Sequence, residues 1–160
     1  MTVRFIVNGR PQPKQRPRFS HKTGAVYTPS KTHQYEKNVR GEYMDAHKGM
    51  VSENGPILAI VECYFPIPKS ATKRLRERML SGLRPINRRS GDADNLAKSI
   101  LDALNGVAFT DDSQVVTLIS EKRYVDDADL DTYASVLLTT DFDLTKHIIL
   151  DNGTNKIYLR

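Results

Sequence analysis

Apolar and polar residues alternate in ways that predict four main strands. Residues 2–8 (TVRFIVN) alternate and predict a first strand. Residues 56–65 (PILAIVECYF) form a nearly unbroken apolar run rich in branched residues, which is typical of a central strand buried on both faces. Two more strands are predicted within residues 113–124 and 132–140, separated by an acidic turn at 125–131.

Helical spacing of apolar residues predicts three helices. The first covers residues 32–47, and the second covers residues 70–82 with Ser70 as its cap. The third is marked by leucine and isoleucine within residues 96–104, and Asn105 followed by glycine signals its end.

These elements predict one α+β domain, α/β-like in character, with a mixed β-sheet flanked by helices in the order β-α-β-α-α-β-β. The chain has 160 residues, enough for one core but not for two full domains, so residues 1–160 are interpreted as a single domain. Residues 141–160 are a C-terminal extension in which HIIL and KIYL can form a small hairpin. Residues 9–30 contain three prolines within seven residues and predict a long loop.

Composition narrows the class of protein. No apolar run reaches the roughly eighteen residues of a membrane span, and the N-terminus lacks a secretory signal, so we expect a cytoplasmic protein with no membrane partner. Cys63, the single cysteine, lies in the predicted central strand and is interpreted as a small buried hydrophobe. A disulfide within the chain is therefore excluded.

Basic charge is concentrated in two segments of a chain whose net charge is +5. The segment from Arg10 to Lys22 has five basic residues and no acid, and the segment from Lys69 to Arg89 has eight basic residues and one acid. The rest of the chain carries a net charge of −7. Such polarity indicates either a surface for polyanions or a solvated, solubilising face.

Acidic residues collect in the segment GDADNLAKSILDALNGVAFTDDSQ, which holds five aspartates and one lysine. Asp92 and Asp94 precede the third predicted helix, where a carboxylate can cap exposed amides and interact favourably with the helix dipole. A capping role alone would account for one such aspartate.

A second acidic pair, Asp111 and Asp112, follows the helix after a short GVAFT segment that can bring this pair back towards the first. Lys98 lies four residues after Asp94, on the same helical face. Clustered carboxylates repel one another unless a cation neutralises them. Oxygen ligands without histidine or cysteine favour Mg²⁺, with Mn²⁺ as an alternative, and Mg²⁺ keeps waters and substrate phosphates as its other ligands. The pattern favours a metal that acts on phosphate.

Other metal and nucleotide motifs are absent from the sequence. It contains neither a GxxxxGK[ST] loop nor HExxH, and the segment that begins at Asp92 lacks the glycine and glutamate of an EF-hand loop. We therefore expect no nucleotide cofactor.

The run DADNLAKSILDALNGVAFTDDSQVV resembles the signature of RusA-type Holliday-junction resolvases, D-x-D-N-L-x-K followed by D-A-L and D-D-x-Q-V. GRPQPKQRPRF with YTP, and PKSATKRLRERMLSGLRP, resemble the longer, phage-associated branch of that family. The resemblance spans roughly residues 5–124. It implies a homodimeric, Mg²⁺-dependent endodeoxyribonuclease that acts in DNA recombination and repair. Such an enzyme nicks four-way junctions symmetrically and leaves 5′-phosphate ends.

The resemblance also assigns site residues. The metal-binding acids are Asp92, Asp94 and Asp112, with Asp111 as a neighbouring candidate. The catalytic set is Asp92, Asp94, Lys98 and Asp112, in which the lysine stabilises charge on the scissile phosphate or on the attacking hydroxide. Asp102 matches the signature and is given either a lysine-orienting or a structural role.

Basic residues on both cationic segments are predicted phosphate contacts, with ordinary surface charge as the alternative for each. They are Lys14, Arg16, Arg18, Lys73, Arg76, Arg88 and Arg89. Lys122 and Arg123 either reach DNA or edge the sheet. Two alternatives remain for the function: a nuclease selective for flaps or forks, and a non-catalytic DNA-binding protein.

Overall fold

The structure is a computed structural model that describes residues 1–86, 88–126, 132–151 and 156–159, with side chains as far as residue 148. In chain order the elements are β1 (Thr2–Asn8), β2 (Arg18–Phe19), β3 (Val26–Tyr27), α1 (Ser30–Ala46), β4 (Ile57–Pro66), α2 (Lys73–Leu80), α3 (Ala93–Leu104), β5 (Val115–Val125), β6 (Tyr133–Thr139), β7 (Ile148–Asp151) and β8 (Lys156–Leu159). Short 3₁₀ turns at Arg88–Ser90, Asp112–Gln114 and Leu144–Lys146 connect them.

Four strands form the central sheet in the order β1-β6-β4-β5. β6 pairs antiparallel with both β1 and β4, whereas β4 and β5 are parallel. A parallel pair needs a long crossover, and the chain between β4 and β5 provides it with α2 and α3. β4 is an interior strand, as its apolar run predicts, so the α+β fold with a mixed sheet is confirmed.

The main core lies between the sheet and the pair of helices α1 and α3. Val39 and Tyr43 from α1, Ile100 and Leu104 from α3, and Val61 from β4 are fully buried there. Val39 and Tyr43 are four residues apart, as are Ile100 and Leu104, so each helix directs one apolar stripe at the sheet.

The opposite face of the sheet carries a smaller apolar cluster, formed by Leu58, Ile60 and Leu137. Ile119 and Ile148 pack against it. The C-terminal extension therefore contributes to the core through the first residue of β7.

Several local predictions can be compared with the structure. The terminal hairpin is confirmed by the antiparallel pairing of β7 and β8. The residues between these two strands, and residues 127–131 of the predicted acidic turn, lie outside the described part of the chain. The cap of α2 is Thr72, whose Oγ1 accepts a hydrogen bond from the Leu75 amide, and the prediction of Ser70 was wrong. A turn in which the Ala71 amide donates to the Pro68 carbonyl delays the start of the helix. The small β2–β3 hairpin was not predicted, because two-residue strands show no periodicity.

Cys63 is buried, as its position in the central strand predicts, and burial raises the pKa of its thiol to about 12. Among the helices in the described residues, none is long and apolar enough to cross a membrane.

Candidate active site

A pocket of about 190 Å³ lies where α3 faces the start of β5. Its lining residues are Asp94, Lys98, Leu101, Asp102, Asp112, Val115 and Leu118. Three carboxylates and one ammonium thus share the pocket with three apolar side chains.

Helix α3 positions the first part of this site. Its apolar face, with Leu96 and Ile100, is buried in the core, which leaves Asp94 and Lys98 exposed on the opposite side. Lys98 Nζ lies 3.2 Å from Asp102 Oδ1, one helical turn further along. The i, i+4 spacing seen in the sequence therefore places Asp94, Lys98 and Asp102 along one edge of the helix.

The turn after α3 positions Asp112. Gln114 Oε1 accepts hydrogen bonds from the amides of Thr110 and Asp111 at 2.9 and 3.1 Å, and its Nε2 donates to the Gly55 carbonyl at 3.0 Å. One glutamine side chain thus ties this turn to the segment before β4. Asp112 lines the same pocket as Asp94, so the structure brings one member of each predicted acidic pair into it.

The other two predicted metal ligands have different surroundings. Asp111 caps the 3₁₀ turn, since its Oδ1 accepts a hydrogen bond from the Ser113 amide at 2.9 Å. Hydrogen bonding to Ser113 lowers the pKa of Asp111. Asp92 occupies the N-cap position of α3, but its exposed side chain makes no capping hydrogen bond. Neither Asp92 nor Asp111 is among the residues that line the pocket.

The described part of the chain contains no group of three or more His, Cys, Asp or Glu side chains placed to hold a metal ion. The pocket nevertheless combines the carboxylates of Asp94 and Asp112 with open space for further ligands. Mg²⁺ binds through one or two protein carboxylates and completes its shell with water and phosphate oxygens, so this donor set fits it. Ligation by Asp92, Asp94, Asp111 and Asp112 stays a prediction.

Lys14 has a role that sequence reasoning missed. Its Nζ lies 2.6 Å from Glu36 Oε1 and 2.8 Å from Asp102 Oδ2. Burial opposes its charge, but the hydrogen bonds to Asp102 and Glu36 outweigh that effect and raise the pKa of Lys14. The sequence predicts a phosphate contact at this position, whereas the structure directs the ammonium to two carboxylates of the protein itself.

Hydrogen bonds from one backbone amide and one arginine side chain to backbone carbonyls hold the N-terminal loop against α3 and the turn before it. The Lys14 amide donates to the Asn95 carbonyl at 2.8 Å, and Arg10 donates to the Arg89 carbonyl at 2.8 Å. Gly91 adopts a φ of 71°, and its α-carbon faces Pro13 closely enough that a Cβ there would lie 3.0 Å from the proline ring. The loop and the helix start are therefore fixed relative to each other.

Most of the predicted DNA-binding residues are accessible. Those that are exposed are Arg16, Arg18, Lys73, Arg88 and Arg89. Arg76 is partly buried and forms an ion pair with Asp126. Phosphate binding by all six stays a prediction.

Lys122 and Arg123 both lie on β5, an edge strand of the central sheet, which is one of the two roles that the sequence left open. Lys122 Nζ donates to the Gly91 carbonyl at 2.7 Å and so braces the start of α3. Arg123 is buried and lies 2.8 Å from both Glu62 and Glu121. A glutamate in the middle of the apolar run of β4 was the signal in the sequence that a buried cation would be needed.

The α+β fold, the acidic pocket with its single lysine and the exposed arginines just before α3 define a class of protein suited to acting on a phosphate backbone. The family model described as endodeoxyribonuclease RusA matches residues 8–131, and the chain belongs to this family. It is thus a member of a nuclease family of Holliday-junction resolvases, which act on branched DNA. The resemblance carried by the aspartate signature is confirmed.

A bacterial relative covers a similar region. The chain is 36% identical over 127 residues to the uncharacterized protein YqaN of Bacillus subtilis (strain 168), a match that covers 76% of this chain and 87% of that protein.

Proposed function

We propose that the chain resolves Holliday junctions in DNA recombination and repair, through paired symmetric nicks made by Mg²⁺-dependent phosphodiester hydrolysis. The observation that carries this proposal is the pocket in which Asp94 and Asp112, from two separate elements, face Lys98 inside the region matched by the family model. Mn²⁺ is expected to substitute for Mg²⁺, since both favour oxygen ligands.

In the proposed reaction, water attacks the scissile phosphorus and the bond from phosphorus to the 3′ oxygen breaks. The 3′ oxygen takes up a proton, so the products carry a 5′-phosphate and a 3′-hydroxyl. Asp94 and Asp112 would hold the divalent ion, with Asp92 and Asp111 as further candidate ligands. The bound ion supplies Lewis acidity and lowers the pKa of its water.

Lys98 is suited to contact the reacting phosphate. Its side chain is 57% exposed and reaches into the pocket from the same face of α3 as Asp94. An ammonium there stabilises the negative charge that develops on the phosphate oxygens as the nucleophile attacks. Leu101, Val115 and Leu118 supply the apolar part of the pocket lining.

Two cuts related by symmetry require two active sites on one junction, so we propose a homodimer. Light scattering of the free protein and of its junction complex tests this assembly. A monomer in both states would contradict symmetric resolution by a preformed dimer.

The central experiment compares synthetic four-way junction, fork, flap and linear duplex, each with Mg²⁺, Mn²⁺ or EDTA. The expected result is cleavage of the junction into nicked duplexes that needs the metal. Asp94→Asn and Asp112→Asn should abolish cleavage while junction binding stays equal or tightens, because each removes a negative charge near phosphates. Asp45→Asn, on an exposed part of α1, is the charge-matched control and should cleave normally.

Other outcomes would redirect the proposal. Equal cleavage of duplex and junction would remove junction selectivity, and preference for flaps or forks would support the alternative nuclease. Tight junction binding without cleavage in either metal would favour a non-catalytic DNA-binding protein.

The exposed arginines before α3 provide a separate test of the DNA-binding surface. Arg88→Ala should weaken junction binding and lower the salt dependence by about one unit of slope, because one phosphate contact is lost. Lys48→Ala, an exposed lysine after α1, is the control for loss of one positive charge. An identical slope in wild type and Arg88→Ala would exclude Arg88 from the interface.

A further inference from the structure

Lys14 joins the N-terminal loop to the acidic pocket through one shared carboxylate. Lys14 Nζ lies 2.8 Å from Asp102 Oδ2, and the other oxygen of that carboxylate, Oδ1, lies 3.2 Å from Lys98 Nζ. Lys14 also lies 2.6 Å from Glu36 Oε1 on α1. Two lysines and two carboxylates thus form a chain that ends at the pocket lysine.

The two lysines are held differently. The side chains of Lys14, Glu36 and Asp102 are 25%, 19% and 22% exposed, whereas that of Lys98 is 57% exposed. Water screens exposed ion pairs and makes them weak, so the longer Lys98–Asp102 contact is the one that an incoming phosphate can displace. The shielded contacts of Lys14 persist when Lys98 leaves.

We propose, on the basis of the nuclease function proposed above, that Lys14 is a positioning residue for Lys98. By neutralising Asp102 and Glu36, Lys14 leaves the ammonium of Lys98 available to the phosphate in the pocket. Lys14 acts through Asp102 and does not itself contact the DNA.

The reasoning follows from charge balance. Asp102 and Glu36 both form ion pairs with the ammonium of Lys14, so their two carboxylates are held close together. Without that ammonium the two negative charges repel, and Lys98 is the cation already in contact with Asp102. Lys98 would then be drawn to Asp102 and would no longer be free for phosphate.

The loop itself should survive a change of this side chain. The Lys14 amide, which any substituted residue other than proline retains, donates to the Asn95 carbonyl. The contact between Pro13 and Gly91 is also independent of the lysine. Lys14→Met therefore removes the charge while the backbone keeps its attachment to α3, and Lys14→Arg restores a cation.

The first measurement needs no metal. Wild type and Lys14→Met in EDTA are labelled with acetic anhydride, and the acetylation rate of each lysine is followed by mass spectrometry. In Lys14→Met we expect Lys98 to be labelled about three- to tenfold more slowly, because a tighter ion pair protects its amine. Lys48 is the internal reference and should be labelled at the same rate in both proteins.

The second measurement is a double-mutant cycle of single-turnover junction cleavage. Lys14→Met should slow cleavage by about 10- to 100-fold, and Lys14→Arg should recover most of that loss. In an Asp102→Asn background the same loss of Lys14 should cost less than about threefold, because the intermediary carboxylate is gone. Lys48→Met is the matched control and should cleave as wild type does.

Binding in EDTA separates this role from a direct DNA contact. We expect the junction affinity of Lys14→Met and its salt dependence to match wild type. A salt slope lower by about one unit would make Lys14 a phosphate contact and overturn the inference. Unchanged labelling of Lys98, or equal costs in both backgrounds, would overturn it as well.

Failure of the proposed function gives a different pattern. If wild type cuts no junction, the nuclease proposal fails, and the labelling of Lys98 still decides whether Lys14 controls its pairing. If thermal unfolding shows that Lys14→Met is misfolded, the acetylation rate of Lys98 is instead compared between wild type, Lys14→Gln and Glu36→Gln. A rate of Lys98 acetylation that is unchanged in both variants would count against the inference.

Discussion

Replacement of Arg123 by methionine should destabilise the fold in a way that depends on pH. Arg123 and Glu62 have side chains only 7% and 4% exposed, and Arg123 NH2 lies 2.8 Å from Glu62 Oε1. Burial raises the pKa of Glu62, while Arg123 and a hydrogen bond from Tyr64 pull it down. Methionine keeps most of the volume of the side chain but removes the charge, so Glu62 is left buried without its cation.

The largest charge-dependent loss of stability in Arg123→Met is limited because the Glu62 carboxylate can take up a proton and become neutral. From an ordinary pKa of 4.5, keeping this carboxyl protonated at pH 7 costs at most about 3.4 kcal/mol, against about 0.8 kcal/mol at pH 5. The charge-dependent loss in Arg123→Met therefore cannot exceed these ceilings. Lost packing adds a part that is the same at both pH values.

The sign follows from linkage. A carboxyl whose pKa is raised by folding holds its proton more tightly in the folded state than in the unfolded state. The stability that this provides is complete below about pH 4.5 and is lost as the pH rises towards the folded-state pKa. Removal of Arg123 raises that pKa further, so the variant loses more stability at pH 7 than at pH 5.

Urea unfolding followed by circular dichroism at pH 5 and pH 7 measures the effect, provided that the m-value is unchanged. The destabilisation at pH 7 should exceed that at pH 5 by up to about 2.6 kcal/mol. Adding Glu62→Gln to Arg123→Met should remove most of this difference. Equal destabilisation at both pH values would refute the argument, since a packing defect alone has no reason to depend on pH.

Two further substitutions, with Gly41→Ala as the control for the first, test how the site is built. Gly91→Ala should lower the free energy of unfolding in urea by about 1–3 kcal/mol, because its φ of 71° is unfavourable for alanine and the new Cβ would lie 3.0 Å from Pro13. Gly41→Ala, within α1 and with open space around it, should instead raise the free energy of unfolding by about 0.5–1 kcal/mol in the same urea assay. Stabilisation by both alanines would contradict the close approach at Gly91. Gln114→Ala should cost about 1 kcal/mol and slow junction cleavage, because the turn that carries Asp112 loses its side-chain hydrogen bonds. Cleavage at the wild-type rate would show that Gln114 does not hold Asp112 in place.

Much of the fold was predictable because it depends on local pattern. The apolar run of β4 required burial on both faces, and the spacing of apolar residues in α1 and α3 required one stripe facing a sheet. Both patterns are visible in the few residues around each position, so these elements could be predicted without knowing which distant residues they pack against. The start of α2 at Lys73 and its Thr72 cap were not predicted, because the residues just before the helix form a turn instead of its first helical turn.

The candidate site was predictable only in part. The spacing of Asp94, Lys98 and Asp102 places them on one helical edge whatever surrounds the helix. The return of Asp112 to the same pocket was predicted from the short connecting segment, and the structure brings it there. Which carboxylates line the pocket was not predictable, since it depends on where α3 begins: Asp92 is the extended N-cap residue, whereas Asp94 lies in the first turn of the helix.

The sequence by itself determined the four strands of the central sheet, the helices α1 and α3 and the acidic signature, because periodicity and motif spacing are properties of neighbouring residues. Tertiary structure decided the partners of the charges. Lys14 belongs to a basic segment, yet folding places it beside Glu36 and Asp102, and Arg123 becomes the buried partner of a glutamate on another strand. The reason is physical: a charge is stabilised by whichever opposite charge lies within a few ångströms after folding, and that distance has no relation to separation along the chain.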